Sequence, residues 1–409
     1  MLVRGAAVVA LASFAGLAAP QSPPPVFDAT TSIILVDVTV TDKKHQPVLD
    51  LTAADFEVFE DGRRREVVSF AAFGSAATKA LAKPRPDFGP EQAPARFVLA
   101  SSVLVVDDGH LSPQQTARLG PVLTQVLRGL VERRGTLLLL APLSGVARAG
   151  RLPEDAEVLA EAAGHVRGHR FRMISNWPMT DTEAIEIERG DTLTFARVLA
   201  RFHELNPGLE REMSALVRQR AIELAVDARN RRGDTFAAIR QGFDWLARQP
   251  GRHSVLLVSA GFANAADPAF DRLVTESLRV NAPVHFLDAA ALSAFNSFET
   301  IEYRQALSMD ARVSPHEAVD AAAGTELLAS NTGGLRVSGD LTEGLTRVLD
   351  TTKTYYVLGY EPPPKKKPGF RKIKVAVKPK GLQVLARRGY FDDRRPDRSG
   401  ASCSEGPRR

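Results

Sequence analysis

The chain has 409 residues, 44% of them apolar and 25% charged, with a formal net charge of +5. These fractions exclude a disordered or fibrous chain, and the length suits two or three folded units. A single cysteine, Cys403, excludes an internal disulfide and a cysteine-based zinc site.

Taken in chain order, Arg4 precedes an apolar run from Gly5 to Ala19, ended by Pro20 and Pro23-Pro24-Pro25. The run is shorter than the ~18 residues a membrane-spanning helix needs. It fits a secretory signal peptide over residues 1–19, with cleavage near Ala18, and so predicts export to the periplasm or beyond. No later segment is long and apolar enough to span a bilayer, and no cysteine follows the run to carry a lipid.

Residues 27–75 read as an N-terminal β-unit. Ile33 to Val40 alternates with period two, a turn follows at Lys43 to Pro47, and Phe56, Val58 and Phe59 mark a second strand. Glu60-Asp61-Gly62 is a turn signal, and Val67 to Phe70 opens another strand. The proline-rich stretch 76–96 is a linker.

Residues 97–352 alternate strand and helix. Val103 to Val106 is a continuous apolar run, as a parallel strand buried on both faces requires. Ser112-Pro113-Gln114-Gln115 starts a helix, with Ser as cap, Pro at the first position and Gln to close the box. Leu119, Val122, Leu123, Val126, Leu127 and Leu130 follow at helical spacing, with a kink expected at Gly120-Pro121. Thr136 to Leu140, Ser254 to Val258, Val284 to Leu287 and Leu335 to Val337 are further buried strands. Asp340 and Glu343 cap a last helix. This pattern predicts a doubly wound, mainly parallel α/β sheet.

Residues 170–208 form an insertion. Thr180-Asp181-Thr182-Glu183 is a capping box, and Phe195, Val198, Leu199 and Phe202 make an apolar helical stripe, read as packing on the domain core. Residues 353–393 return to strands: Tyr355 to Tyr360, Arg371 to Val377 and Leu382 to Tyr390. These strands are expected to pack with the N-terminal ones, since each set alone is small for an independent core. Residues 394–409 are charged, poor in apolar groups and expected to be disordered.

Lys365-Lys366-Lys367, Arg371, Lys372, Lys374, Lys378 and Lys380 concentrate positive charge late in the chain. Few aromatics interleave with them, so they read as a solvated strand face and loop, and nucleic acid is not expected as a partner.

Chemistry in such a sheet belongs outside the carboxyl ends of the strands. There the first buried strand ends in Asp107-Asp108-Gly109-His110-Leu111-Ser112. An oxygen-rich cluster at that place suits Mg²⁺ or Ca²⁺. Turn chemistry accounts for the same residues, with Asp108-Gly109 making the turn and Ser112 capping the helix, and is the stronger of the two readings. His165 and His169 are one helical turn apart but lack an HExxH frame. His285 reads as a core residue, and His203-Glu204 has no evident partner. There is no GxSxG elbow, no phosphate loop and no strand-associated GxGxxG.

These segments resemble the von Willebrand factor A-related family first described in acidobacteria, whose α/β core is a von Willebrand factor A-like domain. The N-terminal signature is matched by Val36 to Asp42 and by Leu51 to Gly62, which contains Asp55-Phe56-Glu57-Val58. Val105-Val106-Asp107-Asp108, Gly251 to Phe262, Thr332-Gly333-Gly334, Tyr355-Tyr356-Val357-Leu358-Gly359-Tyr360 and Ala386 to Tyr390 match the rest. The resemblance covers residues 27 to 393.

It implies fold and export; with the signal-like N-terminus and the missing catalytic motifs, the A-like core leads to the expectation of a binding or adhesion module rather than an enzyme, with another protein as partner. It also implies a metal-dependent adhesion site: a DxSxS loop, a Thr on a second loop and an Asp on a third. Asp107 stands at the first Asp, but Gly109 and Leu111 replace both serines. Thr235, expected to open the helix before the fourth strand, matches the Thr. Ser259 or Ala260 stands near the third-loop Asp. The degenerate ligand site is therefore Asp107, Asp108, Ser112, Thr235 and Ser259, with Asp107 and Thr235 as the metal ligands. No cofactor is expected beyond weak Mg²⁺ or Ca²⁺. The alternatives are an exported hydrolase with an unseen catalytic set and a structural component of an envelope assembly.

Overall fold

A computed structural model describes residues 33–43, 46–48, 50–73, 100–130, 135–170, 179–206, 208, 212–263, 267–293, 314–351, 354–363 and 369–392. The expected signal segment, the linker 76–96 and the tail with Cys403 lie outside the described residues.

The central sheet carries the strand runs read from the sequence. Its strands are β5 (Ala100–Val106), β6 (Gly135–Ala141), β7 (Val146–Leu152), β8 (Arg252–Ser259), β9 (Val284–Asp288) and β10 (Arg336–Val337), in the order β10-β9-β8-β5-β6-β7. Every pairing is parallel except β6 with β7. The edge strand β7 was not foreseen: its sequence VARAGRL, with Arg148, Gly150 and Arg151, lacks the apolar run of its neighbours.

Helices cover both faces. On one face Leu104, Val106, Leu139, Leu256 and Val258 meet α1 (Pro113–Arg128), α2 (Ala156–Gly164) and α8 (Leu341–Thr351). On the other, Val103, Val105, Leu138, Val255 and Leu257 meet α5 (Met213–Leu246), α6 (Pro268–Val280) and α7 (Ser314–Thr332). Gly242 permits the close approach of α5, because a Cβ there would lie 2.9 Å from Val103 Cγ1.

The first helix runs through Pro121 from Pro113 to Arg128, with its Ser112 cap and Gln115 box in place, and two other helical expectations need correction. Pro121 stands nine residues in, yet the apolar stripe of Leu119, Leu123 and Leu127 holds the helix against the sheet. Next, the helix before β8 does not begin near Thr235: α5 is 34 residues long, and Thr235 lies well inside it. Finally, the insertion stripe does not pack on the domain core. Val198 and Phe202 of α4 (Thr192–Leu205) join Ala184, Ile185 and Ile187 of α3 (Asp181–Glu188) against the first half of α5 at Met213, Val217 and Ala221. The length of α5 carries this second, purely helical core away from the sheet.

The remaining strands form two antiparallel four-stranded sheets. One has the order β13-β1-β11-β4, from Gln383–Ala386, Ile34–Thr41, Tyr355–Tyr360 and Ser69–Phe73. The other has the order β14-β12-β2-β3, from Gly389–Asp392, Gly369–Val377, Phe56–Glu60 and Arg63–Arg65. Strands of the two chain ends therefore pair directly, β1 with β11 and β2 with β12. Both sheets close on one core of Val36, Val38, Phe56, Val58, Tyr356, Leu358, Tyr360 and Ile373. The stretch Leu382 to Tyr390 is two strands in two sheets, broken at Arg387-Arg388. The β2–β3 hairpin turns on Asp61 (φ 48°) and Gly62 (φ 79°), the left-handed pair that a two-residue hairpin favours. Arg252 ties this layer to the α/β unit, donating to Thr39 Oγ1 at 3.0 Å and lying 4.3 Å over the Tyr355 ring.

Candidate functional site

The strand order places one crevice. From β5 the chain proceeds outward to β6 and β7, then returns along α5 to β8 on the other side of β5. The reversal falls between the carboxyl ends of β5 and β8, where open parallel sheets bind ligands. Asp107 and Ser259 stand there, and Thr235 reaches in from α5.

These three side chains meet. Asp107 is fully buried. Its Oδ1 accepts from Thr235 Oγ1 at 2.8 Å, and its Oδ2 accepts from Ser259 Oγ at 2.6 Å. Ser259 Oγ in turn accepts the Gly261 N–H at 2.9 Å, which leaves its own proton for the carboxylate. A fourth group completes the cluster. His110 Nδ1 lies 2.9 Å from both Asp107 carboxylate oxygens, and the ring is 2% exposed. Burial alone would raise the Asp107 pKa. The His110 imidazole and the hydrogen bonds from His110, Ser259 and Thr235 outweigh it and hold the carboxyl below the usual carboxylate range.

Asp108 and Ser112 belong elsewhere. The Asp108 carboxylate turns away and accepts from the backbone of Leu143 at 3.2 Å and Ser144 at 2.6 Å. Ser112 Oγ accepts the Gln115 N–H at 3.1 Å as the cap of α1. Successive side chains leaving a strand point to opposite sides, which separates Asp107 from Asp108.

The rim is charged. Arg231 Nη2 meets Asp181 Oδ2 at 2.9 Å, and Arg170 Nη2 meets the same oxygen at 3.5 Å. Burial would raise the Asp181 pKa, but the two guanidinium charges, with the Arg231 hydrogen bond and His110, keep it low. Leu143 and His169 stand exposed beside them.

The donor set does not fit a hard divalent ion. Such an ion takes about six oxygens. Of the converging residues only Asp107 is a carboxylate, and both its oxygens already accept. Gly109 supplies no side-chain oxygen, and Leu111 is a fully buried hydrocarbon. Among the described residues no group of three His, Cys, Asp or Glu side chains is placed to hold a metal.

His110, Arg170, Asp181 and Arg231 were not read as site residues from the sequence. The spacing of His110 three residues after Asp107 across a turn was the signal on offer. Of the other histidines, His165 Nδ1 meets the Glu161 carbonyl at 2.9 Å, and His169 Nδ1 lies 3.9 Å from Asp108 Oδ2, so the two do not form a pair. His203 is half-buried near the end of α4. His285 Nδ1 accepts the Leu335 N–H at 3.2 Å, and burial, aided by the Arg252 charge, pushes its pKa down to about 3.

Comparison with protein-family models and with curated proteins returns no match, so the site is legible only through its residues and geometry. Among the described residues no helix is long and apolar enough to cross a membrane.

Proposed function

We propose that the chain is an exported, non-enzymatic binding module of the von Willebrand factor A-like kind, engaging a partner protein at the carboxyl ends of β5 and β8 without a bound metal. One observation carries this reading. The residues matching the adhesion-site positions, Asp107, Thr235 and Ser259, converge at the strand-order reversal, yet they bond to one another and to His110. The mainly parallel sheet, with the order β10-β9-β8-β5-β6-β7 and one antiparallel edge, supports this reading. The apolar run after Arg4 supports export.

The hydrolase reading draws no support from the same cluster. Ser259 gives its proton to a carboxylate rather than to an imidazole, and both Ser259 and Thr235 are fully buried. The binding surface is then the rim around Leu143, Arg231 and Asp181.

Affinity capture from envelope extracts, with the full chain as bait, tests this. A partner should be retained in EDTA and lost with Leu143→Asp, which places a charge on an exposed rim residue. Loss of the partner in EDTA, or its retention by the rim variant, would overturn the reading.

A further inference from the structure

At the opposite end of the parallel strands, where α6 runs down toward β9, an open groove of about 820 Å³ lies between α6 and the outer face of the β14-β12-β2-β3 sheet. Its walls are apolar: Phe59 and Phe370 from the sheet, Val274 and Leu278 from the helix. Its charge is of one sign. Lys372, Lys374 and Arg388 line it, and among the described residues no acidic side chain does. Carboxylates on the neighbouring turn and strand are engaged locally: Asp61 accepts the Lys372 backbone N–H at 3.0 Å, and Glu57 pairs with Arg64 at 3.3 Å.

The spacing is that of a strand. Phe370, Lys372 and Lys374 are alternate residues of β12 and share its exposed face, while Ile373 between them is buried in the sandwich. Phe59 lies directly across from Lys374, and Gly389 directly across from Lys372. The Phe370 ring leans over Gly389, where a Cβ would lie 2.3 Å from Cζ. Alternate residues of an extended chain repeat at about 6.7 Å. A peptide laid along β12 therefore presents its own same-face side chains to Phe370, Lys372 and Lys374 in turn.

We infer that this groove docks an extended acidic segment of a partner protein, reading an apolar residue followed by acids at the second and fourth positions beyond it. The aliphatic wall of Val274 and Leu278 favours a peptide over a nucleic acid, which brings no aliphatic side chain to fill it. The groove is open along its length, so it does not enclose a lipid tail. This surface is separate from the crevice at Asp107 and stands whether or not that crevice binds a partner.

Fluorescence anisotropy of a labelled peptide, Leu-Ser-Glu-Ser-Glu, with the full chain tests it. The peptide should bind, and binding should weaken by at least about tenfold in Lys372→Glu/Lys374→Glu and fall with added salt. Leu-Ser-Lys-Ser-Lys should not bind, and Ser-Ser-Glu-Ser-Glu should bind more weakly than the parent. The crevice variant Leu143→Asp should bind the peptide as the wild type does, which separates this proposal from the preceding one. An unchanged melting temperature in the double variant assigns the loss to charge rather than to unfolding. Equal binding by the double variant, equal binding of the lysine peptide, or displacement of the peptide by oleate or by an oligothymidine at lower concentration than by unlabelled peptide would each overturn it.

Discussion

Asp107 sits where β5 ends, closed in by a hydroxyl from α5, a hydroxyl from β8 and an imidazole from its own turn. Lys372 and Lys374 stand on β12 with solvent above them. Both regions collect charge, but they answer its cost differently. At Asp107 the protein supplies the compensation itself, and both carboxylate oxygens accept from buried side chains. A site saturated in this way holds loops in place and has little left to offer an ion. On β12 the charges keep their hydration, cost little, and remain available to a partner. Burial of a polar group is thus a poor sign of a ligand when its neighbours already satisfy it, and a single-signed open groove is the better one.

The sharpest way to break that contrast is Asp107→Ala. It leaves Thr235, Ser259 and His110 buried around a missing acceptor, and should cost about 3–5 kcal/mol in urea unfolding. A cost under about 1 kcal/mol would mean the cluster does not hold the crevice together. Asp107→Asn, which keeps one acceptor oxygen, should cost less. The Asp107 pKa is depressed in the fold, so its ionised form adds stability above the unfolded value of about 3.9, and that stability fades as pH falls through the lower folded value.

Asp108→Ala should cost less, about 1–2 kcal/mol, because it loses two backbone donors at a turn beside solvent and leaves the Asp107 cluster intact. If it matches Asp107→Ala, the division between the two acids is wrong.

His285 probes the opposite end of the sheet. Its pKa of about 3 in the fold lies below the ~6.5 of an unfolded histidine, so between those values the unfolded chain binds the extra proton. Its contribution is complete above about pH 6.5 and is lost as pH falls toward 3, at up to about 1.4 kcal/mol per pH unit. His285→Leu should flatten that slope in stability measured across the acid range; an unaltered slope would contradict a neutral buried imidazole.

Lys372→Gln/Lys374→Gln should shift stability by no more than about 0.5 kcal/mol, as exposed charges do. The smallest expected effect is that of metal. Calorimetric titration with Mg²⁺, Ca²⁺ and Mn²⁺ should give no heat of site binding, and micromolar binding abolished by Asp107→Ala would show that the cluster opens to admit an ion.

The central parallel strands were readable from the apolar runs Val103 to Val106, Leu137 to Leu140 and Val255 to Val258, and Ser112, Thr180 and Asp340 announced their helices through short-range capping. Longer-range facts were not readable. β7 hides its pairing behind Arg148 and Arg151. The first half of α5 buries its face on α3 and α4, a choice made by tertiary contact, so no boundary in its sequence shows where Thr235 falls. Asp107, Thr235 and Ser259 could be nominated through a resemblance, but only the turn after β5 decides that Asp107 faces Thr235 and Ser259, that Asp108 faces the Leu143–Ser144 turn, and that His110 folds back to fill the space.

The sandwich is stitched from strands far apart in the chain: the Tyr356 hydroxyl donates to the Val48 carbonyl across 308 positions of sequence. A ribosome releases β1, β2 and β4 long before β11, β12 and β13 exist to pair with them, and loop closure over that span is slow. The α/β unit, whose contacts are more local, is free to fold first as an insert. Its completion brings the two halves of the sandwich within reach, so the last strands act as a clasp that fastens only after the unit between them has formed.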